Sequence, residues 1–223
     1  GSAGIGIVGT VAPLLAAEPG ADMLTDHRLQ QAMHGAAAGA VLVVVAGIIG
    51  MAGEWRFGQA TQTFLATPER WRVVLAKCVT YMAVGAAYGV VGAAAALGAA
   101  WGWYSANDLA LPLDRAAVWL TLLGCLAVSI LFGLLGVGVG AITRNQVGAV
   151  VGALAWFTLV EPALFAAAPR AFRWLPGIAS FSIRRQPTDD LLAVGPATAV
   201  LVGSIAMALA AGAWIVERDD VTA

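Results

Sequence analysis

The sequence predicts an all-α integral membrane protein, a polytopic helix bundle, because of its composition and its long uncharged runs. Apolar residues make up 60% of the 223-residue chain and charged residues only 11%, whereas an ordinary soluble domain carries about 25% charged residues. The same numbers exclude disorder, since disordered chains are poor in apolar residues and rich in charge. The net charge of −1 gives no basic surface for nucleic acid. The bilayer is therefore the expected solvent of this chain.

Uncharged runs locate the spans within a single transmembrane domain that covers residues 1–223. A membrane-spanning helix needs roughly 20 apolar residues. Residues 1–17 would extend only about 25 Å as a helix, so we interpret them as part of an incomplete first span. Six spans are predicted, at about residues 1–17 (partial), 35–53, 78–104, 116–143, 145–166 and 192–216.

The distribution of charge does not orient these spans. If the connection 53–77 faces the cytosol, six basic residues lie inside and six lie outside. The positive-inside rule then gives a tie. Sidedness therefore cannot be derived from the charges.

Small residues recur at helical spacing in three stripes. Such stripes allow the backbones of neighbouring helices to approach closely in lipid. Two uses stay open, packing inside the chain and a seam or sliding surface toward a second copy. The stripes comprise Gly85, Gly89 and Gly92, then Gly133, Gly136 and Gly140, then Gly148 and Gly152.

The connection 53–77 is the most polar one on its side of the predicted bundle. Phe57, Thr61, Phe64 and Leu65 are spaced to share one face of a helix, which predicts a short amphipathic helix lying at the interface. Thr67-Pro68-Glu69 is typical of a helix start, with Thr67 as the N-cap. Two short helices with a sharp joint would suit a groove on a partner protein. An ordinary interfacial loop touching only lipid head groups is the alternative.

Several motifs resemble those of ABC-2 type transporter permeases, and they cover nearly the whole chain after about residue 35. The stretch from Gly53-Glu54-Trp55-Arg56 through Thr63 to Pro68, and on to Ala76-Lys77, resembles the coupling segment that follows the second span in that family. Later motifs are similar to its turn between the fourth and fifth spans, its fifth span, its outer loop and its C-terminal ending. These are Thr143-Arg144-Asn145-Gln146, Glu161-Pro162, Leu175-Pro176-Gly177 and Glu217-Arg218-Asp219-Asp220-Val221.

This resemblance implies a multi-pass plasma-membrane subunit of an ATP-driven exporter. Its partners would be an ABC ATPase subunit, a second copy of itself or a related permease, and the lipid bilayer. The resemblance also implies short re-entrant helices in the outer loop 163–193. In the coupling segment, we expect Glu54, Arg56 and Arg70 to make polar contacts with the ATPase, and we expect Phe57, Phe64 and Leu65 to fill its groove.

The chain itself has no P-loop, so we predict that it is not an enzyme. That motif needs Gly-x-x-x-x-Gly-Lys-Ser/Thr, and the single lysine, Lys77, follows Val73-Val74-Leu75-Ala76. No cofactor is expected in this chain, and ATP with magnesium is expected on the partner ATPase. His27 and His34 lack a third strong ligand, so no metal site is predicted.

Glu161 is the one acid inside a long apolar run. A carboxylate at the centre of a bilayer costs about 2.5–3.5 kcal/mol on insertion scales, so such a residue suggests a function. Glu161 lies 16 residues after Asn145, or about 24 Å along a helix, which places it near an interface. One interpretation is structural, with Glu161 pairing with an outer-loop arginine or capping a re-entrant helix. The other is that Glu161 lines a substrate path or outer gate.

Other classes of function are less consistent with the sequence. An ion-gradient carrier needs ionisable groups within its spans, and these spans are almost free of charge. An intramembrane enzyme needs a catalytic set of polar residues that the spans do not show. A non-transporting scaffold protein remains an alternative. The substrate of an exporter of this composition is expected to be a hydrophobic or amphipathic compound, such as a drug or metabolite.

Overall fold

The computed structural model describes residues 25–56, 70–143, 145–186 and 188–218. These residues form helices and turns without a strand among them, and the predicted all-α class is confirmed for this part of the chain. The predicted partial span 1–17 and the centre of the predicted coupling segment, 57–69, lie outside the described residues. The α-helices are α1 (Asp26–Met33), α2 (Ala40–Arg56), α3 (Arg70–Ala106), α4 (Ala116–Thr143), α5 (Gln146–Ala155), α6 (Glu161–Ala167), α7 (Pro169–Phe172), α8 (Pro176–Ile183) and α9 (Val194–Arg218).

Within the described residues, five helical segments are long and apolar enough to cross a membrane. Two of them are composite. A 3₁₀ turn, His34–Ala37, lies between α1 and α2, and a π turn, Trp156–Val160, joins α5 to α6. These segments indicate a membrane-embedded protein. They are Asp26–Glu54, Trp71–Ala106, Ala116–Thr143, Gln146–Ala167 and Val194–Glu217.

Helix α4 lies at the centre of the bundle. Its 28 residues carry no charge, and it packs against α2, α3 and α9. Its two polar residues at fully buried positions, Thr121 and Ser129, donate their hydroxyls to backbone carbonyls four residues earlier. Those internal bonds remove the cost of burying a free hydroxyl. The residues packed around Thr121 and Ser129 can therefore be apolar, since neither hydroxyl needs a partner from another helix.

Glycines allow α2 and α3 to approach α4 at backbone distance. A Cβ on Gly136 would meet the carbonyl oxygen of Val44, and one on Gly133 would meet that of Tyr81. The stripe Gly85, Gly89 and Gly92 contacts α4 and Ala36 in the same way. Two of the three predicted stripes therefore serve packing inside the chain. The third is different, because a Cβ on Gly152 would meet nothing within 4 Å.

We expect Gly136→Ala to destabilise the bundle by about 1–3 kcal/mol, the usual cost of overpacking. The atoms that the new methyl group would meet belong to the backbone of α2, and they cannot rotate away as a side chain can. Thermal unfolding in a mild detergent measures the effect. Gly203→Ala is the control, since a Cβ at Gly203 has open space around it. If both variants unfold at the same temperature, the close approach of α2 to α4 is not tightly packed.

The chain alternates direction along the bundle, which places two groups of residues at opposite ends. The end of α2 meets the beginning of α3, where Glu54 contacts Lys77. The short helices α6, α7 and α8 lie at the other end. Helix α8 contacts α4, α6 and α9, and most of its residues are buried. Each end carries one candidate site.

Candidate functional sites

The first candidate site is an ion pair that joins the ends of α2 and α3. The Nζ atom of Lys77 lies 2.8 Å from Oε1 of Glu54, and it donates a hydrogen bond of 2.9 Å to the carbonyl oxygen of Gly50. Glu54 is only 8% exposed. Because these helices flank residues 57–69, the ion pair holds together the two ends of the predicted coupling segment.

A surface pocket of about 460 Å³ surrounds this ion pair. The second carboxylate oxygen of Glu54, Oε2, is buried without a hydrogen-bond partner among the described residues. A buried acceptor of this kind is costly unless another group reaches it. The residues that line the pocket are Glu54, Arg72, Val73, Ala76, Lys77, Thr80 and Tyr81.

Only part of the predicted ATPase contact surface falls within the described structure. Glu54 is engaged by Lys77 inside the chain. Arg56 ends α2 and Arg70 begins α3, so the two lie at the edges of the segment. The side chains of Arg56 and Arg70, and the whole of Phe57, Phe64 and Leu65, are outside the described residues. The contact of these residues with a partner stays a prediction.

The second candidate site is centred on Glu161 and begins with a break in the helix. Pro162 has no N–H to donate and its ring would clash with the preceding turn of a regular α-helix. The chain accommodates it through the π turn Trp156–Val160, in which the N–H of Glu161 donates to the carbonyl oxygen of Trp156. Such π turns are frequent at functional sites.

Glu161 caps helix α8 from inside the protein. It is 0% exposed, and its Oε2 atom accepts a hydrogen bond of 3.1 Å from the backbone N–H of Ile178. Its Oε1 atom accepts one of 2.5 Å from Nε1 of Trp156. A carboxylate at the N-terminus of a helix is favoured by the unpaired N–H groups and the helix dipole. The structural roles predicted for Glu161 are pairing with an arginine and capping a helix. The described structure shows helix capping, because Glu161 accepts an N–H at the start of α8.

Gly177 provides the space for this cap. A Cβ there would collide with Oε2 of Glu161 and would lie 2.8 Å from Cδ1 of Phe157. Pro176 occupies the first turn of α8, where its missing N–H costs nothing. The Leu175-Pro176-Gly177 motif thus combines a helix start with a position that must be small.

A cavity of about 150 Å³ lies beside Glu161. Its size is roughly that of a cavity that holds one benzene molecule. Its walls come from α2, α4, α6, α8, the 3₁₀ turn and the π turn. The lining residues are Ala37, Ala38, Ala40, Val41, Phe132, Phe157, Glu161, Pro162, Gly177, Ile178, Ser180, Phe181 and Arg184.

The partners of both acids are not apparent from the sequence. Glu54 and Lys77 are 23 residues apart in the chain, and no local periodicity relates them. Trp156 and Glu161 are five residues apart, a spacing that a regular α-helix places on different faces and that the π turn brings together. Pro162 predicts that the helix is irregular at this point, but it does not predict that the irregularity is a π turn.

Comparison with protein-family models, with curated proteins and with solved structures gives no match for this chain.

Proposed function

We propose that this chain is the membrane-spanning permease subunit of an ATP-binding cassette exporter. Its expected partners are a separate ABC ATPase, which carries ATP and magnesium, and a second copy of itself or a related permease. The full fold in this proposal has six spans, the first one partial, and α6 to α8 act as re-entrant helices at the outer face of the plasma membrane. The cargo is a hydrophobic or amphipathic compound.

The observation that carries the proposal is the Glu54–Lys77 ion pair. A motor that acts on residues 57–69 can move the spans only if the segment is firmly attached to them. The ion pair of 2.8 Å and the bond from Lys77 to Gly50 make the ends of α2 and α3 one unit. A displacement of the segment would then reach α4 through both helices, since α2 and α3 pack on it.

The resemblance to ABC-2 permeases supports the same assignment from the sequence. In that family the segment after the second span rests on the ATPase, and here that segment begins at Gly53-Glu54-Trp55-Arg56 and ends at Ala76-Lys77. The two residues of the ion pair therefore lie in the first and last motifs of the segment. The resemblance also assigns this end of the bundle to the cytosol.

Truncation of Phe64 or Arg56 tests the proposal. In cells that express the chain together with its proposed ATPase partner, we expect Phe64→Ala and Arg56→Ala to lower the amount of ATPase that co-purifies by about tenfold, or ~1.4 kcal/mol. The protein should still insert at normal levels, because both residues belong to the polar connection. Arg170→Ala is the matched control, since its side chain is 90% exposed at the opposite end of the bundle. Unchanged retention of the ATPase in both segment variants would contradict the coupling role.

A further inference from the structure

Arg184 is a cation that lines the cavity and has no anionic partner among the described residues. It follows the last residue of α8 and borders the cavity together with Phe157 and Phe181. Its Nε donates to the carbonyl oxygen of Ser180 at 3.3 Å and one Nη donates to the hydroxyl of Ser180 at 3.4 Å. Its guanidinium also lies 4.7 Å from the centre of the Phe181 ring. All of these partners are neutral.

Three other basic residues of the described structure have an acid beside them. Lys77 pairs with Glu54, Arg115 with Asp26 and Arg170 with Asp190, whereas no described acid forms such a pair with Arg184. Burial lowers the pKa of Arg184 from its ordinary value, yet an arginine side chain stays protonated in proteins. The Arg184 side chain is half-buried. A charge withdrawn from water without a counter-charge is costly, so an anion placed beside Arg184 would be stabilised.

Glu161 does not fill this role, although it lines the same cavity. Its two oxygens are engaged by Trp156 and by the backbone of Ile178, at the first turn of α8. Arg184 follows the last residue of that helix, and its guanidinium is held by Ser180 and the Phe181 ring. Within the described structure the two side chains form no ion pair, and each has its own partners.

The other residues that line the cavity indicate which further chemical groups the ligand must have. Three phenylalanines, Phe132, Phe157 and Phe181, and several alanines make the lining mainly apolar. Ala38 and Pro162 are exposed, so the cavity reaches the surface on the side of the bundle, between the first and fourth described spans. Both residues belong to segments long and apolar enough to cross a membrane, so we expect a ligand to enter there from the lipid phase.

We propose that this cavity binds the anionic head group, a phosphate or a carboxylate, of an amphiphile whose apolar tail stays in the surrounding membrane. Arg184 pairs with the head group through its free guanidinium donors, a charge-assisted contact of the stronger kind. The aromatic walls contact the first carbons of the tail. The amphiphile is either a phospholipid of the bilayer or a single-chain compound, and both present the same chemistry to Arg184. This site requires only the membrane-embedded bundle and does not depend on the proposed transport function.

Native mass spectrometry of the purified chain in a neutral detergent tests the proposal. The probes are dodecyl phosphate and phosphatidylglycerol, each compared with its neutral counterpart, dodecanol or diacylglycerol. We expect the anionic probes to bind about tenfold more tightly than the neutral ones, and Arg184→Gln to remove that difference. Arg170→Gln, which deletes an exposed charge from the same connection, should leave it unchanged. Arg184→Lys keeps the charge and should retain part of the preference.

A second variant separates binding from folding. Ala38→Phe narrows the mouth of the cavity and leaves Arg184 in place, so it should weaken binding of the anionic probes while the protein unfolds at its normal temperature. Preference for phosphatidylglycerol alone identifies a lipid site, and preference for dodecyl phosphate alone identifies a site for single-chain compounds. Both results support the proposal. It is overturned if anionic and neutral probes bind equally well, or if Arg184→Gln binds the anionic probes as well as the wild type does.

Discussion

Glu161→Ala is expected to lower the free energy of unfolding by about 2–4 kcal/mol. The substitution removes the cap of α8, because it leaves the buried N–H of Ile178 without its acceptor, which costs about 1–3 kcal/mol. The indole N–H of Trp156 loses its partner at the same time. At about 2–4 °C per kcal/mol for a chain of this size, the melting temperature should fall by roughly 5–15 °C. Thermal unfolding in detergent measures it.

Two further variants show whether the loss comes from the cap. Gly177→Ala keeps the carboxylate but places a methyl group against it, and it should destabilise the protein for the same reason. Glu217→Ala removes an exposed acid near the end of α9, and it should change the melting temperature little. If Glu161→Ala unfolds at the same temperature as Glu217→Ala, Glu161 does not hold α8 in place.

Lys77→Met is expected to have the second large effect. It leaves the Glu54 carboxylate, 8% exposed, without its counter-charge. Breaking a buried ion pair costs roughly 3–5 kcal/mol, and we expect a smaller loss here because the Lys77 side chain is 27% exposed. Under the proposed function, the ratio of cargo moved to ATP hydrolysed should also fall, because the ends of α2 and α3 are no longer joined. Unfolding and coupled ATP hydrolysis are the two measurements.

The control for Lys77→Met is Arg115→Met, which breaks the ion pair with Asp26 at the other end of the bundle. Those two side chains are 51% and 60% exposed, and exposed pairs contribute only about 0–1 kcal/mol. The double variant Glu54→Lys with Lys77→Glu restores opposite charges and should recover part of the lost stability. Equal losses in Lys77→Met and Arg115→Met would mean that the helix ends are held together by something else.

The positions of the spans follow from the sequence because lipid imposes a simple rule. A helix that crosses the bilayer must be long and uncharged, and the run from Ala116 to Thr143 coincides with α4. Helix ends were harder to predict. Helix α3 begins at Arg70, eight residues before the predicted span, since polar residues such as Arg72 and Lys77 continue the same helix beyond its apolar part. A charged residue therefore marks the end of the apolar run, but the helix itself continues beyond that residue.

Individual residues of the candidate sites could be predicted from the sequence, but their contacts could not. Glu161 was identifiable because an acid in an apolar run is unusual, but its capping of α8 depends on a π turn and on the position of Gly177. The pairing of Glu54 with Lys77 depends on the meeting of two antiparallel helices. Arg184 was one of four arginines in the loop 163–193, and only the packing of α8 against α4 and α6 distinguishes it from the others. Contacts between residues that are far apart in the chain leave no recognisable pattern in the local sequence.

The most direct test of the central claim is to purify this chain from its native membrane in a mild detergent and to identify what accompanies it. We predict that a polypeptide with a P-loop co-purifies in an amount comparable to that of the chain, and that the complex hydrolyses ATP when magnesium is present. The intact chain should show no such activity once this partner has been removed. Recovery of a folded chain with no ATPase, together with cargo movement that follows an ion gradient, would contradict the proposed function.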